Sequence, residues 1–123
     1  MAQQDVHFDP GGGPLRVEIT SGFAQQGAYS LTLARGATDR AVWRGTFEDP
    51  TDDAYALPDL APQHDGRTLY CNAKVSVEPP IGDYAVTMTL TQDGLVIGTV
   101  AEAHQAGGGS VVAVDLFAHL KAR

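Results

Sequence analysis

The residues of this sequence best suited to chemistry are six acids within residues 48–66. The segment holds no Lys or Arg and three of the seven prolines, and its acids are Glu48, Asp49, Asp52, Asp53, Asp59 and Asp65. Calcium takes six to eight oxygen ligands from carboxylates and carbonyls. We therefore predict a candidate calcium site with ligands drawn from Asp49, Asp52, Asp53 and Asp59. The spacing differs from that of the EF-hand loop, which places acids at alternate positions and closes on a Glu.

The plainer interpretation of this acidic segment is a solvated, proline-stiffened connection between two sheets. Its carboxylates would then serve solubility, since they supply six of the seven excess negative charges of the chain. Structureless loops longer than about 12–15 residues are uncommon in compact domains and are often functional. Both interpretations stay open at this point.

Aromatic side chains suggest a second kind of site. Trp43, Tyr55 and Tyr70 have the chemistry of a sugar-binding face, on which pyranose rings stack. The alternation of the sequence around Tyr70 predicts that this ring points outward, whereas Trp43 shares a face with Phe47, which favours the core. The candidate ligand-binding residues are therefore Tyr55, Tyr70, Asp52 and Asp53.

The other reactive residues do not form a recognisable catalytic motif. The four histidines lack the close spacing that places two imidazoles on one metal ion, and there is no Gly-x-Ser-x-Gly sequence. Cys71 alternates with apolar residues, so we expect it to be buried and unreactive. Both glycine-rich stretches lack the lysine of a P-loop. The sequence therefore favours a protein that is not an enzyme.

Length and charge narrow the classes of partner. The 123 residues suffice for a single domain spanning residues 1–123. The net charge of −7 argues against DNA or RNA as the main partner, because phosphates are bound through Lys and Arg. The apolar runs are too short to span a membrane, and residues 1–5 do not resemble a secretory signal, so the sequence as given favours the cytoplasm.

The elements that must position these residues are strands. Apolar and polar residues alternate with a period of two, most clearly at residues 84–91, where Thr87, Thr89 and Thr91 share one face. Asp93-Gly94 predicts a tight hairpin turn. In all, the pattern predicts seven strands, around residues 15–20, 29–34, 42–47, 69–77, 84–91, 95–103 and 112–116. Residues 116–121 are compatible with a helix but are too few to predict one.

Seven strands separated by turn residues predict an all-β fold, an antiparallel two-sheet β-sandwich. The stretch 82–90 resembles the late strands of immunoglobulin-like and fibronectin-like sandwiches, a resemblance that covers one hairpin and implies fold alone. Leu95, Val96 and Ile97 are three consecutive apolar residues, so we expect their strand to be central in a sheet or covered by a second subunit. The sequence thus predicts a homodimer or larger assembly.

Three functions follow as hypotheses. The first is a binding module that uses an exposed sheet face or the acidic segment 48–66 to bind a protein partner or a glycan. The second is a calcium-dependent domain built on the same acidic segment. The third is a small enzyme of unknown class.

Overall fold

A computed structural model describes residues 2–22, 26–35, 38–46, 53–77, 82–105 and 110–123. It confirms the all-β sandwich, and the count of seven strands is corrected to nine within the described residues. The strands are β1 (Ala2–Phe8), β2 (Leu15–Gly22), β3 (Gln26–Arg35), β4 (Thr38–Thr46), β5 (Asp53–Ala56), β6 (Thr68–Ser76), β7 (Asp83–Gln92), β8 (Leu95–Gln105) and β9 (Val111–Ala122). The two strands that the alternation did not reveal are β1 and β5.

The strands form two sheets. One has five strands in the order β1-β9-β6-β3-β4, and the other has four in the order β5-β2-β7-β8. Neighbouring strands are antiparallel except β1 and β9, which run parallel. Alternate residues point to opposite faces of a sheet, so each strand sends one set of side chains into the core.

The core lies between the sheets and consists mainly of aliphatic side chains. On β6 and β9 every second residue is buried, and these residues are Leu69, Cys71, Ala73, Val75, Val114, Leu116, Ala118 and Leu120. They face Val17, Ile19, Val86, Met88 and Leu90 of the four-stranded sheet. The burial of Cys71 is thereby confirmed. Its low-dielectric surroundings, together with the charge of Asp115, raise the pKa of the thiol to about 12.

Aromatic contacts close one side of the sandwich. Tyr55 of β5 lies opposite Val17 and points inward, where its hydroxyl forms a hydrogen bond with that of Tyr29. Its ring also lies 6.0 Å from that of Trp43 on β4. On the opposite side, Val6 of β1 packs against Gly98 of β8.

The hairpin between β7 and β8 has the predicted turn. Asp93 and Gly94 have φ angles of 53° and 79°, which are the two positive values of a type I′ turn. Next to it, the buried Gln92 side chain accepts a hydrogen bond from Asp9 N and donates to Asp9 O and Gly13 O at 2.9, 2.8 and 3.0 Å. One buried amide therefore fixes the glycine-rich connection between β1 and β2.

The described part of the acidic segment, residues 53–66, is folded onto the sandwich. After β5, Leu57 and Ala61 are buried, and residues Ala61–His64 form a 3₁₀ helix. Arg67, of which only 6% is exposed, donates to Asp59 Oδ2 at 3.0 Å. Asp65 Oδ1 accepts a hydrogen bond from Ala122 N at 2.9 Å. These acids thus have structural partners within the chain.

The strands also decide between alternatives that the sequence left open. Residues 116–121 are not helical, because β9 continues to Ala122 in hydrogen-bonded register with β1 and β6. Among the described residues, the strand that begins Leu95-Val96-Ile97 is not central, because β8 stands at the end of the four-stranded sheet, so cover by a second subunit is the alternative that stays a prediction. Among the described residues, no helix has the length and apolar character needed to cross a membrane.

Candidate functional site

The outer face of the five-stranded sheet carries a row of side chains that crosses all five strands. Cross-strand register aligns Tyr70 of β6 with Phe117 of β9 on one side and with Thr32 of β3 on the other. The same row continues to Gln3 of β1 and to Val42 of β4. Because residues directly opposite each other in a sheet share a face, these five side chains form one stripe. We call this surface the Tyr70 face.

The aromatic rings of this stripe are stacked against one another. The ring centroids of Tyr70 and Phe117 are 4.6 Å apart with an interplanar angle of 22°. His119, two residues further along β9, lies 6.5 Å from Phe117 with an angle of 7°. Phe117 therefore lies near two other rings, and the three side chains support one another.

A carboxylate beside the stripe is held by two donors. Asp115 Oδ1 accepts hydrogen bonds from the Tyr70 hydroxyl at 2.6 Å and from Asn72 Nδ2 at 2.7 Å. These bonds, that of Tyr70 first, hold the pKa of Asp115 below its ordinary value of 3.8. The same contact raises the pKa of Tyr70. At neutral pH the face thus presents an ionised carboxylate in a fixed position.

On the other side of the stripe, His119 links β6 to β1. Its Nδ1 lies 3.1 Å from Thr68 Oγ1, and its Nε2 lies 3.3 Å from Gln3 Oε1. An amide oxygen can only accept a hydrogen bond, so Nε2 carries a proton and donates it to Gln3. The Thr68 hydroxyl, which can both donate and accept, is the hydrogen-bond partner of Nδ1, so the ring is held at both nitrogens.

An open depression lies next to His119. It has a volume of about 580 Å³ and is lined by Asp5, Asp65, Gly66, Arg67, Thr68, His119, Leu120 and Lys121. Lys121 Nζ donates to Asp5 Oδ2 at 3.0 Å, and both side chains are about half exposed. This hydrogen bond lowers the pKa of Asp5. The depression therefore adds a charged border to the Tyr70 face.

The sequence-predicted ligand-binding residues do not meet on one surface. Tyr70 points outward, as predicted, whereas Tyr55 lies on the inward side against Tyr29, and Trp43 packs beside Tyr55. Asp52 lies outside the described residues, and Asp53 is described only as the first residue of β5. The role of each in ligand binding stays a prediction.

The predicted calcium ligands are described only in part. Asp59 lies on the surface in contact with Arg67, and Asp49 and Asp52 lie outside the described residues. Within the part of the chain that the structure describes, no three His, Cys, Asp or Glu side chains are grouped as a metal would require. The calcium site therefore stays a prediction.

Sequence reasoning missed Asp115, Phe117 and His119. The signal was available, because Leu116, Ala118 and Leu120 continue the apolar alternation of β9 and leave the intervening residues on the opposite face. Gln3 was missed because β1 was not predicted. Its position beside Phe117 depends on a parallel pairing that the sequence does not display.

Comparison with known proteins does not identify this chain. No family model matches it, and no curated protein or solved structure has a significant match to it. Function is therefore inferred from the geometry of the site itself.

Proposed function

We propose that this domain is a non-enzymatic binding module that recognises a protein partner through the Tyr70 face. The observation that carries the proposal is the stripe across five strands, in which Phe117, Tyr70 and Val42 lie in one register row. Protein interfaces commonly combine an aromatic or apolar centre with a polar, solvent-accessible rim. The stripe has the composition of such a centre.

Polar rows flank the stripe on both sides. One row crosses β9, β6, β3 and β4 and consists, in that order, of Asp115, Asn72, Ser30 and Arg44. The other row crosses β1, β9 and β6 and consists of Asp5, His119 and Thr68. Since both rows carry hydrogen-bonding groups, they supply the rim that gives a protein interface its specificity.

The polar groups are ordered before any partner binds. Asp115 is held by two donors, and His119 is fixed at both ring nitrogens. Ordering side chains at an interface costs about 0.5–1.5 kcal/mol each, so groups that are already ordered reduce the cost of binding. This arrangement supports recognition of a defined partner surface.

Ring geometry favours a protein over a glycan as the ligand. A sugar stacks on an exposed aromatic face, but the rings of Tyr70 and His119 already pack near Phe117. The other members of the stripe are Gln3, Thr32 and Val42, which offer no further ring for stacking. A stripe of this kind matches the flat surface of another protein better than a pyranose ring.

Site-specific photo-crosslinking tests the proposal. A benzophenone amino acid is placed at Thr32, beside Tyr70, and in a matched variant at Thr89, on the outer face of the other sheet. We expect a discrete protein adduct from position 32 in extract of the native host, none from position 89, and a several-fold loss when Phe117→Ser is added.

The fold of each variant is checked by its melting temperature. Equal adducts from both positions, or adducts that Phe117→Ser does not reduce, would refute the Tyr70 face as the binding surface. A glycan-array signal that disappears in Tyr70→Ala would instead assign a carbohydrate to this face.

A further inference from the structure

The edge of the four-stranded sheet offers a second interaction surface. β8 is 11 residues long and stands at the end of that sheet, with β7 as its ladder partner within the described residues. The outer side of an edge strand presents backbone N–H and C=O groups that can pair with another strand. β1 packs against β8 from the facing sheet, where Val6 contacts Gly98.

β8 has few of the features that usually protect an edge strand. Natural edges are kept short, carry charged residues or Pro, or are interrupted by a β-bulge. Among the other edges, β5 has four residues, β4 carries the exposed Arg44, and β1 carries the Asp5–Lys121 ion pair. β8 contains no Lys, Arg or Pro, and its ladder with β7 is irregular only near the hairpin turn.

Exposed apolar residues lie on this same strand. Leu95 and Val96 are 70% and 64% exposed. β8 carries a single acid, Glu102, whose carboxylate lies 3.7 Å from His104 Nε2 and is only 14% exposed. Two β8 strands can therefore approach each other despite the net charge of −7 on the whole chain.

We propose that two copies of this chain pair antiparallel through β8, which joins their four-stranded sheets into one sheet of eight strands. A two-fold axis perpendicular to the sheet relates antiparallel strands, so the same edge serves both copies. The axis passes near Ala101, in the middle of the stretch 98–105 that pairs regularly with β7. The small side chains of Thr99, Ala101 and Ala103 on the outer face permit this approach.

The pairing has two consequences. Pairing of two edge strands buries less surface area than a standard protein interface, so we expect a dissociation constant in the micromolar range. The two-fold axis also leaves the Tyr70 faces of both copies on the same side, so the dimer would present two binding faces together. This second consequence rests on the proposed function, whereas the dimer itself does not.

Analytical ultracentrifugation tests the dimer. We expect the weight-average mass of the wild-type protein to rise from monomer to dimer across the micromolar range. The double variant Thr99→Lys/Ala101→Lys places like charges on adjacent strands at the junction and should remain monomeric over that range. The matched control Thr20→Lys/Thr89→Lys adds the same charge to the same outer face away from the edge, so it should dimerise like the wild type.

A spin label at Ala101→Cys provides an independent measurement, because the buried Cys71 does not compete for labelling. Adjacent β8 strands would bring two labels close enough to broaden the spectrum, and dilution with unlabelled protein should remove the broadening. A wild-type protein that stays monomeric at high-micromolar concentration would overturn the proposal. So would a dimer that the Thr99→Lys/Ala101→Lys variant retains, and neither result would bear on the Tyr70 face.

Discussion

Val6 of β1 packs directly over Gly98 of β8, so closely that a Cβ atom at position 98 would lie 2.6 Å from Val6 Cγ2. This contact joins the edge strands of the two sheets on one side of the sandwich. Real Cβ atoms do not approach a neighbouring carbon to that distance, so the absence of a side chain at position 98 lets β1 lie against β8.

We predict that Gly98→Ala destabilises the protein by about 1–3 kcal/mol, the usual cost of overpacking a filled interior. The measurement is the free energy of unfolding in urea. Val6→Ala removes the atoms that clash, so adding it to Gly98→Ala should cost less than the two single substitutions together. A Gly98→Ala protein as stable as the wild type would show that β1 does not pack on β8 in this way.

Substitution of Gly94 tests the hairpin turn through backbone conformation and not through packing. A Cβ atom at position 94 would meet no atom within 4 Å, and the φ angle there is +79°. Gly94→Ala should therefore cost about 1 kcal/mol through backbone strain alone. Asn tolerates positive φ, so the matched variant Gly94→Asn should lose clearly less stability. Equal denaturation midpoints for Ala and Asn would contradict the type I′ turn.

Much of the fold could be predicted because alternation is a local signal. β6 and β7 bury every second residue, and their side chains follow the predicted faces. β5 escaped prediction because its sequence, Asp-Ala-Tyr-Ala, contains one large apolar residue and lies within the acidic segment. Its pairing with β2 supplies what the local sequence does not show.

The candidate site was harder to predict than the fold. Tyr70 could be assigned to an outer face from its own strand, but its neighbours Phe117 and Gln3 come from β9 and β1. Which residues lie opposite Tyr70 depends on strand order and register. Both are set by packing across the whole sheet, so no local pattern specifies them.

The lowered pKa of Asp115 on the Tyr70 face predicts how the stability of the protein depends on pH. The hydrogen bonds of Tyr70 and Asn72 stabilise the ionised form of Asp115, so its folded pKa lies below 3.8. A lowered carboxylate pKa contributes stability above the unfolded pKa, and that contribution is lost as pH falls through the folded pKa. We therefore expect this contribution to be complete at neutral pH and to disappear in acid below pH 3.8.

An NMR titration of the Asp115 side-chain carbon measures this effect directly. Tyr70→Phe keeps the ring and removes the hydroxyl, so the midpoint should move upward. Asn72→Ala should move it upward by less, because the Tyr70 hydroxyl has the larger effect on this pKa. A midpoint that Tyr70→Phe leaves unchanged would show that the hydroxyl does not hold the carboxylate.

The rate at which a thiol reagent labels Cys71 measures how often the core opens to solvent. Its thiol is fully buried, and burial raises its pKa to about 12, so little thiolate is present at neutral pH. We expect a thiol reagent to label the native protein orders of magnitude more slowly than the urea-unfolded chain. A surface variant such as Lys74→Cys should react at its exposed thiol at nearly the unfolded rate. Comparable rates for native and unfolded Cys71 would contradict its place in the core.

The acidic segment distinguishes a calcium-dependent domain from a solvated connection. Asp59 already receives a hydrogen bond from the buried Arg67, and Asp65 receives one from Ala122 N. Two of the six carboxylates therefore have partners of their own. We predict that calcium and magnesium at equal ionic strength raise the melting temperature by the same small amount, because both act by screening the remaining repulsion.

The double variant Asp52→Asn/Asp53→Asn sharpens this test. If the segment is a solvated connection, the variant should be neutral or slightly stabilising, since it removes two negative charges from an acidic region. If the segment binds calcium, the wild type should gain several degrees with calcium alone, by RT ln(1 + [L]/Kd), and the variant should lose that gain. We expect the first result. A calcium-specific rise that the double variant abolishes would instead make calcium part of the function of this domain.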